Sequence, residues 1–209
     1  YVAMAVLNLH RNYDKYQSEQ KQQIWEHQPF PEVSVSVGIF GFGYLGQQIG
    51  ETLKNIGLEV HGYSQTKKQV KDIATYGKEN LAEFLENINV LVGVLPMTKG
   101  TKGIFSMPLF NQLKRPSYFI NIGRGNQQIE SDILEALDQG ILSGAMLDVF
   151  EQEPLPRNSP LWTHPKVKLT PHIAGITNPD AAVPQIFKNY NAMLNSEKLI
   201  NVVDKKKGY

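Results

Sequence analysis

The stretch Val37-Gly38-Ile39-Phe40-Gly41-Phe42-Gly43-Tyr44-Leu45-Gly46 constrains this chain more than any other. The run from Val35 to Phe40 is β-branched or aromatic at most positions and reads as a buried strand. From Gln47 to Asn55, Ile49 and Leu53 fall at helical spacing, and Gly57 stops the helix. A complete G-x-G-x-x-G thus lies between a strand and a helix. Gly41 permits the tight turn, Gly43 lets the backbone approach a pyrophosphate, and Gly46 allows close helix–strand packing. Tyr44 and Leu45 lie between these glycines, where the helix N-terminus offers N–H groups and partial positive charge to phosphates. The segment predicts a dinucleotide cradle.

Across 209 residues, 41% are hydrophobic and 20% charged, as in ordinary globular chains with room for one sizeable core. A net charge of +1 without a basic stripe gives no reason to expect nucleic acid, and Lys205-Lys206-Lys207 reads as a solvated tail. Zero cysteines exclude disulfides and thiolate metal sites, and the five histidines are too scattered for a ligand set. No metal is expected. No apolar run approaches membrane-spanning length, so no membrane partner is expected and the location is read as cytoplasmic. The chain begins at Tyr1, without Met and inside the apolar segment Val2 to Leu7, which reads as a piece whose N-terminal part is missing.

Tyr1 to about Glu26 is expected to be helical, with apolar residues at Val2, Val6, Leu9, Tyr13 and Tyr16, closed by Pro29 and Pro31. Strands are then expected at Leu58–Tyr63, Ile73–Tyr76, Val90–Leu95, Tyr118–Ile122, Ala145–Phe150 and Val167–Leu169. Helices are expected at Leu81–Ile88, Pro108–Lys114, Asp132–Gln139 and Ala181–Ser196. Strands apolar on both faces and alternating with helices predict an α/β fold, a doubly wound parallel sheet covered on both sides. The domain division follows: 1–31 a leading helix and linker, 32–175 the dinucleotide-binding domain, 176–209 a C-terminal helix and tail.

In such sheets ligands bind beyond the carboxyl ends of the strands. After the second strand comes Ser64-Gln65-Thr66-Lys67-Lys68, where an NAD enzyme usually carries an acid for the ribose 2′-OH. Ser64 would not repel a 2′-phosphate, and Lys67 and Lys68 would attract one, so NADP(H) is favoured over NAD(H). After the fourth strand, Leu95, Pro96 and Thr101 are placed over the cofactor; after the fifth, Ile122 and Gly123 lead into Arg124. An Arg in a Gly-Arg-Gly turn suits a carboxylate clamp through parallel N–H bonds. The sixth and seventh strand ends supply Asp148 and Glu153, then His172, Ala174 and Gly175. Reducing a 2-keto acid requires a carboxylate clamp, a proton donor to the carbonyl oxygen and a hydride. Arg124, His172 and Glu153 fit those needs, with His172 as the acid and Glu153 stabilising the imidazolium.

These residues resemble the D-isomer-specific 2-hydroxyacid dehydrogenase family. The resemblance runs through the glycine motif, Asn121-Ile122-Gly123-Arg124-Gly125, Leu147-Asp148-Val149-Phe150-x-x-Glu153-Pro154-Leu155-Pro156 and Pro171-His172-Ile173-Ala174-Gly175. Ser159-Pro160-Leu161-Trp162 and Gly144 to Asp148 are most similar to its bacterial glyoxylate/hydroxypyruvate reductase A branch, which favours NADPH. The resemblance implies a Rossmann domain, the triad Arg124, Glu153 and His172, and Asp148 holding the nicotinamide carboxamide. It also implies a homodimer and a second, substrate-binding domain of which only flanking helices are present. The chain by itself is therefore expected to show little activity.

Two other readings stay open here. The triad does not separate a glyoxylate reductase from a phosphoglycerate or D-lactate dehydrogenase. A dinucleotide-sensing module of corepressor type could carry the same residues. Tyr63-x-x-x-Lys67 matches a short-chain dehydrogenase pair, but it lies where the cofactor ribose belongs, and chance explains it.

Overall fold

The computed structural model describes residues 1–27 and 32–204. The expected boundary at Pro29 and Pro31 and the lysine tail at 205–207 lie outside the described residues. Seven parallel strands form one sheet in the order β3-β2-β1-β4-β5-β6-β7. They are β1 (Ser36–Phe40), β2 (Glu59–Tyr63), β3 (Ala74–Tyr76), β4 (Val90–Gly93), β5 (Ser117–Asn121), β6 (Leu142–Leu147) and β7 (Val167–Leu169). From β1 the chain winds outward through β2 and β3, then crosses back to β4 on the other side of β1. The carboxyl ends of β1 and β4 therefore open a crevice, the switch point of a doubly wound sheet.

Alternation along β1 divides the core between the two faces. Phe40 packs with Tyr63, Phe84, Phe105 and Phe119 on one side, the Phe40 and Tyr63 rings stacked at 4.5 Å. Val37 and Ile39 pack on the other side with Phe42, Leu53 and Val60. The helices α3 (Tyr44–Asn55), α4 (Leu81–Glu86), α5 (Met107–Phe110) and α6 (Glu130–Asp138) follow strands as expected. Burial of this apolar surface is the main favourable term holding the sheet.

Several expected bounds shift. The leading segment is two helices, α1 (Val2–His10) and α2 (Tyr13–Lys21), because Asn12 between them takes φ +52°. Asn tolerates this left-handed backbone through its short polar side chain. Helix α1 buries Val2, Ala5 and Val6 in the same core as Val37 and Ile39, while α2 buries only Glu19. Tyr13, expected on the apolar face, is half exposed. Strand β6 begins before the expected Ala145 and stops at Leu147, where the Asp148 N–H turns to the Asn121 carbonyl (3.0 Å). The last helix, α7 (Pro179–Leu194), buries only Ala192.

Candidate active site

The carboxyl edge of the sheet carries a groove of about 730 Å³. Gly41, Gly43, Tyr44, Leu45, Gly46, Ser64, Lys68, Leu95, Pro96, Thr101, Ile122, Gly123 and Arg124 all line it. At two of the glycines no other residue serves. Gly41 has φ +117°, and a Cβ there would sit 2.7 Å from the Val94 backbone. A Cβ on Gly46 would lie 2.2 Å from the Gly41 carbonyl oxygen, so helix and turn touch only without a side chain. At Gly43 a Cβ would meet nothing within 4 Å, so the backbone there faces open space. Gly43 is also the N-cap of α3, whose first N–H groups have no intrahelical acceptor. This is a cradle that fits a pyrophosphate.

Lys68 lines the groove, and Lys67 beside it is exposed and lies outside the lining. Gln65 and Thr66, passed over in the sequence, line it instead. Thr101 is buried and works as a loop tie, donating to the Pro96 carbonyl (2.8 Å) and accepting from the Thr98 N–H (2.9 Å).

Beside the groove, the imidazole Nδ1 of His172 lies 2.8 Å from Glu153 Oε2. The other Glu153 oxygen accepts the Phe150 N–H at 3.0 Å. Partial burial opposes charge on Glu153, but the His172 and Phe150 bonds, with the positive charge of Arg124, outweigh it and hold the carboxyl below its ordinary 4.5. At neutral pH this carboxylate can only accept, so Nδ1 carries the proton and Nε2 is left for a ligand. A pair this exposed contributes at most about 1 kcal/mol to folding. That is too little to explain why His172 itself occupies φ +55°, a region costly for a residue with a Cβ. Such strain is concentrated at functional sites.

Arg124 is exposed and gives one guanidinium N–H to the Gly123 carbonyl (2.7 Å). Three buried amides missed in the sequence hold its turn. Asn121 accepts from the Gly123 N–H (2.9 Å) and donates to Gln128 (2.8 Å), which in turn donates to the Val149 carbonyl (2.9 Å). Gln127 accepts from the Arg124 N–H (2.9 Å) and donates to the Leu95 and Pro96 carbonyls. Together they join the loops after β4, β5 and β6. The available signal was the pair Gln127-Gln128, separated from Gly-Arg-Gly by Asn126 and followed by the apolar Ile129.

Asp148 directly follows β6. It is 1% exposed and does not line the groove; it lies beneath the His172 turn. Its Oδ1 accepts from Thr170 (2.6 Å) and the Ile173 N–H (2.9 Å), and Oδ2 from the Ala174 N–H (2.8 Å). Ala174 and Gly175 belong to this turn rather than to the groove lining.

Residues 3–174 match the profile of the D-isomer specific 2-hydroxyacid dehydrogenase NAD-binding domain. The chain belongs to the D-isomer-specific 2-hydroxyacid dehydrogenase family. It is 41% identical over 211 residues to a glyoxylate/hydroxypyruvate reductase A of Photorhabdus laumondii, covering 100% of this chain and 67% of that protein. Among solved structures it superposes on the NADPH-dependent glyoxylate/hydroxypyruvate reductase of Sinorhizobium meliloti in complex with NADP and sulfate, with a TM-score of 0.95. That pair shares 40% identity over 100% of this chain and 68% of the other. A D-isomer specific 2-hydroxyacid dehydrogenase from Xanthobacter autotrophicus, in complex with NADPH and MES, matches with TM-score 0.94 at 35% identity, covering 100% of this chain and 87% of that one. The family is one of NAD(P)-dependent oxidoreductases acting on small keto and hydroxy acids. Among the described residues no helix is long and apolar enough to cross a membrane.

Proposed function

We propose that this chain is the cofactor-binding part of an NADPH-dependent reductase of small 2-keto acids of the glyoxylate and hydroxypyruvate class. The observation that carries this reading is the His172–Glu153 pair at 2.8 Å on the same sheet edge as the glycine cradle and Arg124. The NADP and NADPH complexes of the relatives, and Lys68 in the groove, support the cofactor.

Arg124 binds the substrate carboxylate through its guanidinium fork. NADPH, when bound, supplies the hydride. Protonated on both nitrogens, His172 donates the Nε2 proton to the carbonyl oxygen as it becomes a hydroxyl and is left neutral, while Glu153, bonded at Nδ1, stabilises the imidazolium before the transfer. Arg124 also opposes negative charge developing on that oxygen. Residues 1–31 are the leading helices and linker, 32–175 the cofactor domain, and 176–209 an arm returning toward a second domain that completes the cleft. The protein is a cytoplasmic homodimer in this reading.

In the full-length protein, Arg124→Ala should lower kcat/KM for glyoxylate by roughly 10- to 150-fold, the value of a charged hydrogen bond of about 1.5–3 kcal/mol. NADPH affinity should hold. Equal losses in both would remove the carboxylate clamp from the reading. Lys68→Gln should weaken NADPH about 10-fold and leave NADH unchanged, while Lys67→Gln should do little to either. Fluorescence titration of the chain with each nucleotide reads this directly, and an unchanged NADPH/NADH ratio in Lys68→Gln would discard the 2′-phosphate contact.

A further inference from the structure

The turn that carries His172 receives its order from one buried residue. The Asp148 carbonyl accepts the His172 N–H at 2.9 Å, and its carboxylate accepts from Thr170, Ile173 and Ala174. Every donor in this set is neutral, and the carboxylate is almost wholly shielded from water. The hydroxyl of Thr170 has one proton, and a carboxylate cannot donate, so that proton points to Asp148. The same hydroxyl is hydrogen-bonded to the Tyr1 phenol, which must therefore be the donor. The direction is fixed: Tyr1 to Thr170 to Asp148. Each bond polarises the next in such a chain. Tyr1 caps α1, whose Val2, Ala5 and Val6 are buried in the sheet core, so the head of the chain of bonds is anchored.

We infer that Tyr1, Thr170 and Asp148 form a hydrogen-bond relay that positions the His172 imidazole, so that α1 and the proposed proton donor hold one geometry. These are positioning residues; the inference rests on the role given to His172 above. The left-handed backbone at His172 is what the relay secures. A shell of fixed bonds is what a strained site residue requires if its ring is to keep one orientation. The short bond of Nδ1 to Glu153 then sets the ring from its other side.

Thr170→Val removes the hydroxyl at nearly constant shape, and Thr170→Ser keeps it. In the isotopically labelled chain, the ring nitrogens of His172 are read by NMR at about pH 9, above the ordinary imidazole range. Their signals are assigned by their loss in His172→Gln. The unaltered chain should show a single tautomer with Nδ1 protonated. Thr170→Val should show a mixture of tautomers, and amide exchange at Ile173 and Ala174 should rise at least about 10-fold, with β5 amides unchanged. Thr170→Ser should restore both signatures. In the full-length protein, Thr170→Val should lower kcat for glyoxylate on the order of 10-fold with KM for NADPH constant.

An unaltered tautomer pattern in Thr170→Val would overturn the relay, as would failure of Thr170→Ser to restore it. So would β5 amides accelerating as much as those of the turn, which would make the bonds mere fold supports. Failure of the functional reading looks different: a full-length protein that neither binds NADPH nor oxidises it with glyoxylate, its NMR pattern as expected.

Discussion

His172→Gln in the full-length protein should reduce glyoxylate turnover by about 10² or more while the dissociation constant for NADPH stays where it was. Glutamine is of similar reach and can still hydrogen-bond Glu153, but it cannot hand over a proton. Histidine is the better tolerated of the two at this left-handed φ, so a small loss of stability accompanies the exchange. Nothing in the groove lining changes, because His172 is not part of it. Single-turnover measurement with saturating NADPH separates the chemical step from binding. Turnover within a few-fold of the unaltered protein would remove His172 as the proton donor.

The pH dependence has a definite sign. Glu153 titrates below its ordinary 4.5, so the carboxylate–imidazole pair is intact above that value. It is lost only as pH falls through the lowered Glu153 value. Glu153→Gln should therefore leave the protein without this acid-side transition in the His172 ring signals. An acid transition unchanged in that variant would assign it to another group.

Local chemistry explains which features could be read from the sequence. The strands could be found because a parallel sheet buried on both faces needs short apolar runs, and the seventh, Val167–Leu169, falls on its expected bounds. The residues after strand ends were legible for a similar reason, since strand polarity alone places Arg124, Glu153 and His172 at one edge. What escaped depends on contacts far apart in sequence. Asp148 is distinguished by bonds to residues 170–174, which no local pattern contains. Of the neighbours Lys67 and Lys68, Lys68 lines the groove and Lys67 is exposed, a difference that no local pattern contains. The break between α1 and α2 lies at Asn12, a residue type that favours helix ends and the left-handed backbone, so a boundary signal was present there.

Gly125→Ala should be the most damaging small substitution in the protein. A Cβ at Gly125 would lie 1.7 Å from the Phe150 carbonyl oxygen and 2.7 Å from the Glu151 nitrogen. Both are backbone atoms, so no side-chain rotation relieves the clash. The neighbouring bonds resist movement as well: Glu130 and Glu151 exchange carboxylate–N–H bonds at 2.8 and 2.9 Å across the same junction. Overpacking of this kind costs about 3 kcal/mol or more. In a chain of 209 residues that corresponds to a fall of roughly 6–12 °C in Tm. The same contact sets the distance between the Arg124 turn and the loop bearing Glu153, so the clamp and the acid pair are driven apart together. Keto-acid turnover should accordingly fall further in Gly125→Ala than in Arg124→Ala. Gly140→Ala is the contrast: a Cβ there meets nothing within 4 Å, and the left-handed φ of +70° leaves only backbone strain. Equal thermal stability in Gly125→Ala and the unaltered protein would show that the two loops separate at no cost, and the proposed site would lose the contact that aligns it.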